Sequence, residues 1–149
     1  MLHVALWEPE IPPNTGNVAR LCAATGATLH LIGRLGFHLD DRSLRRAGLD
    51  YWPAVNIVRH VTWDEFQKTL APPRVFCFSA HATTPYTSVS YEPGDALLFG
   101  SESRGLPASV LEKNPTVTIP MLTGAVRSLN LATAVGIVLY EALRQLDRW

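Results

Sequence analysis

The sequence predicts an α/β domain with a mainly parallel sheet flanked by helices. Apolar β-type runs alternate with helical segments along the whole chain of 149 residues. Alternation of this kind is typical of parallel strands with helices on both faces of the sheet. Hydrophobic residues make up 47% of the chain and charged residues 17%, which suffices for a real core at this length. We expect one domain, residues 1–149, without a repeat or linker.

Each element is predicted from its pattern and its ends. Gly26 and Gly48 end two helices, and Thr62-x-x-Glu65 is a capping box that begins a third. The predicted strands are Leu2–Trp7, Thr28–Ile32, Ala54–Val58, Val75–Ser79, Ala96–Phe99 and Val117–Ile119. The predicted helices are Thr15–Thr25, Asp41–Ala47, Trp63–Leu70, Pro107–Lys113 and Leu129–Leu146.

The composition excludes several classes of protein. No apolar stretch of about 18 residues occurs, so we expect no membrane span. The N-terminus lacks the basic start and cleavage site of a signal peptide. Cys22 and Cys77 are isolated in apolar contexts, which favours buried thiols in the reducing cytoplasm over a disulfide framework.

Arginine is concentrated in one part of a chain whose net charge is zero. Only two of the thirteen cations are lysines. Arginine presents a planar fork to phosphate and stacks on bases. The cluster suggests RNA binding, but a solvated helix face paired with its own aspartates explains it equally well. Its arginines are Arg34, Arg42, Arg45, Arg46 and Arg59.

The last predicted helix is apolar on more than one side. An apolar stripe at helical spacing is accompanied by Ile137 and Leu139, so the middle of the helix has almost no polar face. Such a helix is buried on several sides. We expect a homodimer through this helix, with Tyr140 in the interface. The stripe consists of Leu131, Val135, Val138, Ala142 and Leu146.

Three loops are candidates for the functional site, because ligands of open α/β sheets bind beyond the carboxyl ends of the strands. The first spans Glu8–Asn17, with Arg20 one turn into the following helix. The second is Gly100–Pro107, and the third runs from Pro120 to Asn130.

These loops lack the sequence motifs of the common nucleotide-binding, hydrolase and metal sites. The first loop is proline-rich and has no G-x-G-x-x-G, and Leu106-Pro107 stands where a P-loop needs Lys-Ser/Thr. No G-x-S-x-G elbow is present. The five histidines lack metal-ligand spacing. We therefore expect a metal-free site built of backbone, small hydroxyls and arginines.

The motifs in these loops resemble those of the SPOUT RNA methyltransferases. Gly100-Ser-Glu-Ser-Arg-Gly-Leu-Pro107, and Ile119-Pro-Met with Arg127-Ser-Leu-Asn-Leu131, are similar to their cofactor-binding motifs. Asn14-Thr-Gly-Asn-Val-Ala-Arg20 resembles their first motif, which carries the catalytic arginine. The segments Glu8–Gly16 and Leu44–Tyr51 resemble more narrowly the subfamily that methylates the wobble ribose of tRNA.

The resemblance implies a fold, a cofactor and a substrate. Its fold carries a deep C-terminal trefoil knot, in a cofactor-binding region of about residues 75–149, with the chain threaded from about Val117. Its cofactor is S-adenosyl-L-methionine (SAM), and its product S-adenosyl-L-homocysteine. The implied activity is tRNA (cytidine(34)/uridine(34)-2′-O)-methyltransferase, acting on the anticodon loop. The alternatives are another tRNA or rRNA site, or a non-catalytic SAM-binding RNA assembly factor.

The chain departs from the family pattern at two points. The loop after Met121 is about one residue longer than in the subfamily, and Ala132 stands where a serine is common.

The resemblance also assigns residues. Arg20 is catalytic, acting with an RNA phosphate; the alternative is an ion pair with Glu8 or Glu10. The cofactor-binding residues are Phe78, Gly100, Glu102, Gly105, Ile119, Met121, Ser128, Leu129 and Asn130. The RNA-binding residues are Asn14, Arg42, Arg45, Arg46 and Arg127.

Several of these residues have structural alternatives. Asn14 is also a candidate helix N-cap, and Ser128 and Asn130 are candidate caps of the last helix. Glu102 is a candidate loop-ordering carboxylate. Arg104 can meet the SAM carboxylate, an RNA phosphate or Glu102. A valine at Gly100 is expected to fill cofactor space and leave the fold intact.

Overall fold

The computed structural model describes residues 1–39, 42, 53–70 and 74–147, and within them six parallel strands form one sheet. The order across the sheet is β3-β2-β1-β5-β4-β6. This confirms the predicted α/β class. The strands are β1 (His3–Trp7), β2 (Thr28–Ile32), β3 (Ile57–His60), β4 (Val75–Phe78), β5 (Ala96–Phe99) and β6 (Thr116–Val117).

The predicted bounds of two strands, β2 and β5, match the structure, whereas those of β3 and β6 are shifted. β3 begins at Ile57 rather than Ala54, because its ladder with β2 starts where Ile57 pairs with Leu29. β6 ends at Val117 rather than Ile119, because Thr118 leaves β4 and bonds to Thr84. Long-range pairing, which a local pattern cannot reveal, sets both ends.

The first helix, α1 (Pro12–Thr25), begins three residues before its predicted start. Proline suits the first turn of a helix, where its missing N–H would have no partner. The N-cap is Ile11, so the prediction that Asn14 caps this helix is wrong. Gly26 ends α1 in the left-handed conformation with φ 77° and donates its N–H to Cys22, as predicted.

The remaining described helices are α2 (Trp63–Leu70), α3 (Ala108–Leu111) and α4 (Leu131–Gln145). α2 has its predicted bounds and its capping interaction, since the Thr62 hydroxyl accepts from the Glu65 N–H. α3 is shorter than predicted. α4 starts two residues late because Asn130 is its N-cap. The predicted helix 41–47 lies outside the described residues except for Arg42.

The alternation of side chains along the strands builds a core on each face of the sheet. On one face, Val4, Leu29 and Leu97 pack against α1 and α4. On the other, Ala5 and Leu98 pack with residues of α2 and α3. The layers are therefore helices, sheet and helices, as expected for parallel strands buried on both faces.

The last helix is less available to a partner than its sequence suggests. Leu139 is fully buried in the core of its own chain, so it adds no apolar surface that a second copy could cover. Ile137 is only partly buried, and Tyr140 is exposed. The apolar surface that α4 presents to the outside is therefore smaller than the sequence pattern implies.

Three histidines form one hydrogen-bonded row across β1, β2 and β3. His3 Nδ1 lies 2.9 Å from His30 Nε2, and His30 Nδ1 lies 2.9 Å from His60 Nε2. Phe66 of α2 packs edge-on against His30 and His60. Burial lowers the pKa of all three imidazoles, that of His30 to about 3.

Both cysteines are buried free thiols, as predicted, and burial raises the pKa of Cys22 and of Cys77 to about 12. In the part of the chain that the structure describes, no helix is long and apolar enough to cross a bilayer.

Candidate functional site

A cavity of about 1030 Å³ opens beyond the carboxyl ends of the strands. It lies where the loops after β1, β4, β5 and β6 meet. The connection from β1 leads to β2 on one side, while β5 and β4 lie on the other, so this is the switch point of the sheet. Parallel sheets bind ligands at this position, and the volume suits a cofactor-sized molecule.

The carboxylate of Glu102 holds the loop after β1 against the loop after β5. It accepts the backbone N–H groups of Glu10 at 2.9 Å and Ile11 at 2.8 Å, and the side-chain amide of Asn14 at 3.2 Å. These bonds engage both of its oxygens. The prediction that Glu102 orders the loop is confirmed, and Glu102 also lines the cavity.

Asn14 and Asn130 connect the starts of two helices. The Asn130 amide donates to Asn14 Oδ1 at 3.0 Å. The Asn130 oxygen accepts the N–H groups of Ala132 and Thr133 and so caps α4, which confirms its predicted capping role. Through Asn14, the chain Glu102–Asn14–Asn130 joins all three predicted loops into one polar network.

Arg104 pairs with a partner that the sequence analysis did not predict. Its guanidinium lies 3.2 Å from Glu8 Oε1 and does not pair with Glu102. The oxygens of Glu102 are already engaged by the three donors of the first loop, whereas Glu8 faces Arg104 across the gap between the loops. Of the three partners that the sequence left open for Arg104, Glu102 is therefore excluded, and the SAM carboxylate and an RNA phosphate stay predictions.

Gly100 and Gly105 contribute to this loop in different ways. A Cβ at Gly100 would lie 2.3 to 2.6 Å from backbone atoms of Gly105 and Leu106. The expectation that a valine there would fill cofactor space is wrong, because its Cβ would meet this backbone and push the loop apart. Gly105 has φ +67°, and a Cβ there would meet no protein atom within 4 Å. It also lines the cavity.

One wall of the cavity is apolar and flat. Phe78 and Phe99 stack with their ring centroids 4.7 Å apart and their planes at 10°. Ile119, Met121 and Leu129 lie along the same cavity. A wall of this kind suits an aromatic base, and the loops after β1 and β5 contribute polar atoms to the same cavity.

All nine residues predicted to bind cofactor line this cavity, together with Asn14 and Arg127. Arg20 is exposed on α1 and is not among the cavity's lining residues in a single chain. Arg42 is exposed. Arg45 and Arg46 lie outside the described residues.

The loop after β4 belongs to the cavity although no sequence motif pointed to it. Ser79, Ala80 and His81 line the cavity beside Phe78, as does Thr118 after β6. Their position at the carboxyl ends of parallel strands was the available signal. Within the described ranges, no group of three or more histidine, cysteine or acidic side chains could hold a metal ion.

Comparison with known proteins identifies the family to which this fold and cavity belong. The sequence profile of the SpoU rRNA Methylase family matches residues 1–140. The chain belongs to this family, which confirms the predicted resemblance.

Within the family, the chain is similar over nearly its whole length to a tRNA methyltransferase. It is 50% identical over 149 residues to the tRNA (cytidine(34)-2′-O)-methyltransferase of Escherichia coli K12, covering 98% of this chain and 94% of that protein. A solved structure that addresses 2-OH methylation of C/U34 on tRNA has a TM-score of 0.95 and 54% identity, covering 99% of this chain and 97% of its own.

A more distant solved structure contains cofactor. The SpoU methyltransferase AviRb from Streptomyces viridochromogenes, in complex with AdoMet, has a TM-score of 0.86 and 27% identity. It matches 100% of this chain, which covers 62% of the AviRb chain.

Proposed function

We propose that this chain transfers the methyl group of SAM to the ribose 2′-OH of the wobble nucleotide, cytidine or uridine 34, of tRNA. The observation that carries the proposal is the convergence of three separate motifs on one cavity. The chain's near-complete similarity to enzymes of this activity indicates the nucleotide. Since tRNA is the proposed substrate, we place the protein in the cytoplasm.

The cavity fits SAM on structural grounds. Its stacked phenylalanine wall and Ile119 suit an adenine ring, and the open space beside Gly105 admits a ligand close to backbone. Ser128, Leu129 and Asn130 would close the cavity around the bound molecule. SAM supplies an activated methyl group, and S-adenosyl-L-homocysteine is released; no metal takes part.

Arg20 would prepare the ribose hydroxyl. A 2′-OH is a poor nucleophile at neutral pH, so its proton must be accepted or offset. A guanidinium is far too basic to do this alone. We propose that Arg20 acts together with an RNA phosphate, orienting the hydroxyl and stabilising the charge that develops on its oxygen.

The RNA contacts would come from arginines around the site. Arg127 lines the cavity and Arg42 is exposed, and Arg45 and Arg46 complete the predicted set. Asn14 is only 8% exposed, and its amide bonds within the protein. We therefore propose that Asn14 holds Glu102 and Asn130 in place rather than gripping RNA itself.

The active form would be a homodimer through α4, with a knotted C-terminal region. Ile137 and Tyr140 on the outward side of α4 support the dimer. For the knot, the support is that Thr118 donates to Thr84 and accepts from Tyr86, so the chain after β6 runs along the loop between β4 and β5. Gln145 then bonds to Val89 and Tyr91 of the same loop.

The test is methylation of a defined anticodon stem-loop with labelled SAM. Label should enter RNA with a ribose at position 34. A single 2′-deoxy substitution at position 34 should abolish incorporation, and the same substitution at position 32 should not. Label that persists with 2′-deoxy 34 would move the reaction to another site of tRNA or rRNA. SAM binding without label in any RNA would leave the assembly-factor alternative.

A further inference from the structure

Two glutamates, one in the loop after β1 and one in the loop after β5, each accept hydrogen bonds from the backbone of the other loop. Glu102 accepts the N–H groups of Glu10 and Ile11. In the opposite direction, Glu10 accepts the Ser103 backbone N–H at 2.8 Å and the Ser103 hydroxyl at 2.7 Å. Each loop thus carries the carboxylate that satisfies backbone donors of the other. Charge-assisted bonds of this kind are the stronger class of protein hydrogen bond.

The segment that carries Glu10 is also held from its other side. Glu8 has the unusual backbone angle φ +44°, a strained conformation that persists only where the surroundings enforce it. A Cβ at Gly33 would lie 2.7 Å from Glu8 Cγ, and one at Gly36 would lie 2.8 Å from Glu10 Cα. Segment 8–10 is therefore fixed between the 33–36 turn and the loop after β5.

Glu10 does not line the cavity, but the loop it holds does. Ser103, Arg104 and Gly105 are lining residues, and the Gly105 N–H donates to Ser101 to close the turn. Replacing Glu10 would free the middle of this turn without changing the identity of any residue that lines the cavity. The Glu10 carboxylate can therefore affect a ligand mainly through Ser103, with smaller interactions with Ser101 and Arg104.

We infer that Glu10 is a positioning residue for the cofactor: by fixing Ser103, it sets the wall formed by residues 103–105. The inference rests on SAM being the cofactor, as proposed above. The bonds from Ser103 lower the pKa of Glu10, so its carboxylate stays ionised at neutral and mildly acidic pH and the contact persists there.

The test compares SAM binding by calorimetry across matched variants of the full chain. Glu10→Ala should raise the Kd for SAM about tenfold, the scale of one charge-assisted hydrogen bond. Glu10→Gln keeps an oxygen acceptor for Ser103 and should stay within about threefold of the parent. Ser103→Ala keeps the backbone bond and should fall between the two. Glu112→Ala, an exposed glutamate next to α3, is the control and should leave the Kd unchanged.

Single-turnover methylation at saturating SAM separates positioning from chemistry. Glu10→Ala should then react within about threefold of the parent rate, because its defect lies in binding. A lower melting temperature with an unchanged Kd would make Glu10 merely structural and overturn the inference. A Glu112→Ala defect as large as that of Glu10→Ala would also overturn it. A parent chain that binds no SAM would refute the proposed cofactor itself, which is a distinguishable failure.

Discussion

Gly105 and Gly94 share a backbone conformation but occupy different surroundings. Their φ angles are +67° and +90°, and a Cβ at either would meet no protein atom within 4 Å. Gly105 lines the cavity. Gly94 lies in the turn before β5 and donates its N–H to Met1, at the opposite edge of the sheet. Variants at these two glycines can therefore distinguish a loss of stability caused by backbone strain from a loss of ligand affinity.

Replacing each of these glycines by alanine should therefore have one shared and one different result. Both variants should lose about 1 kcal/mol of unfolding free energy, because an L-residue is strained at positive φ. Only Gly105→Ala should weaken SAM binding, by about tenfold or more. Denaturant unfolding and calorimetric titration measure the two quantities. Equal SAM affinity in both variants would contradict the assignment of Gly105 to the cofactor.

Arg20 is the residue that separates an enzyme from a binding protein. If it acts on the 2′-OH, Arg20→Ala should lower the single-turnover rate by about 10²–10⁴-fold, the range of acid–base assistance. The Kd for SAM should barely change, because the cofactor motifs lie elsewhere. The assay uses saturating tRNA, so a wild-type rate there would reduce Arg20 to an RNA anchor.

Arg45→Ala and Arg46→Ala serve as matched arginine controls for Arg20. They should give the reverse pattern: weaker and more salt-sensitive tRNA binding, with near-normal turnover at saturation. Filter binding over a salt series measures the first effect. Loss of rate with unchanged tRNA binding would place these arginines in the chemistry instead.

At the scale of elements, the histidine row joins β1, β2 and β3 beneath α2. Two N–H···N bonds run along it, and the buried central imidazole of His30 uses both of its nitrogens. Glu65 of α2 interacts electrostatically with His60, and the N-terminal amine does so with His3. A proton placed on His30 would make both of its nitrogens donors, so the neighbouring histidine that now donates to it would have to change tautomer.

The row predicts a loss of stability in acid. The pKa of His30 is lowered from 6.5 to about 3, so between those values the unfolded chain binds more protons than the folded one. The His30 contribution is complete above about pH 6.5 and falls as the pH drops, by about 2 kcal/mol at pH 5. Denaturant unfolding at pH 7.5, 6 and 5 measures it.

Two histidine variants sharpen this measurement. His30→Leu should flatten the slope of stability against pH between 6.5 and 5, whatever its cost at neutral pH. His38→Gln, at an exposed position, should keep the parent slope. An unchanged slope in His30→Leu would mean that other groups carry the acid sensitivity.

At the scale of the whole molecule, the proposed dimer depends on the outward side of α4. Ile137→Glu would place an unpaired charge in that interface, and such a charge costs several kcal/mol. The variant should be monomeric at micromolar concentration, where the parent is dimeric, as measured by light scattering. Gln67→Glu, on the exposed side of α2, should remain dimeric. A stable, active monomer of the parent chain would refute the dimer.

The fold class, most of the elements and nine of the residues that line the cavity could be predicted from the sequence alone. Alternating apolar runs are a local signal, and so are the glycine that ends α1 and the capping box of α2. The three motifs could be recognised in order, and the nine residues assigned to cofactor from them line one cavity.

Which loops touch, and through which atoms, could be seen only in the folded structure. Residues far apart in the chain meet in each case: Arg104 pairs with Glu8, Asn14 bonds to Glu102, and Glu10 bonds to Ser103. Leu139 is likewise buried by distant parts of its own chain. None of these contacts has a local pattern. The contacts between the loops arise because parallel strands bring distant loops to one edge of the sheet, where the carboxylates of one loop meet donors of another.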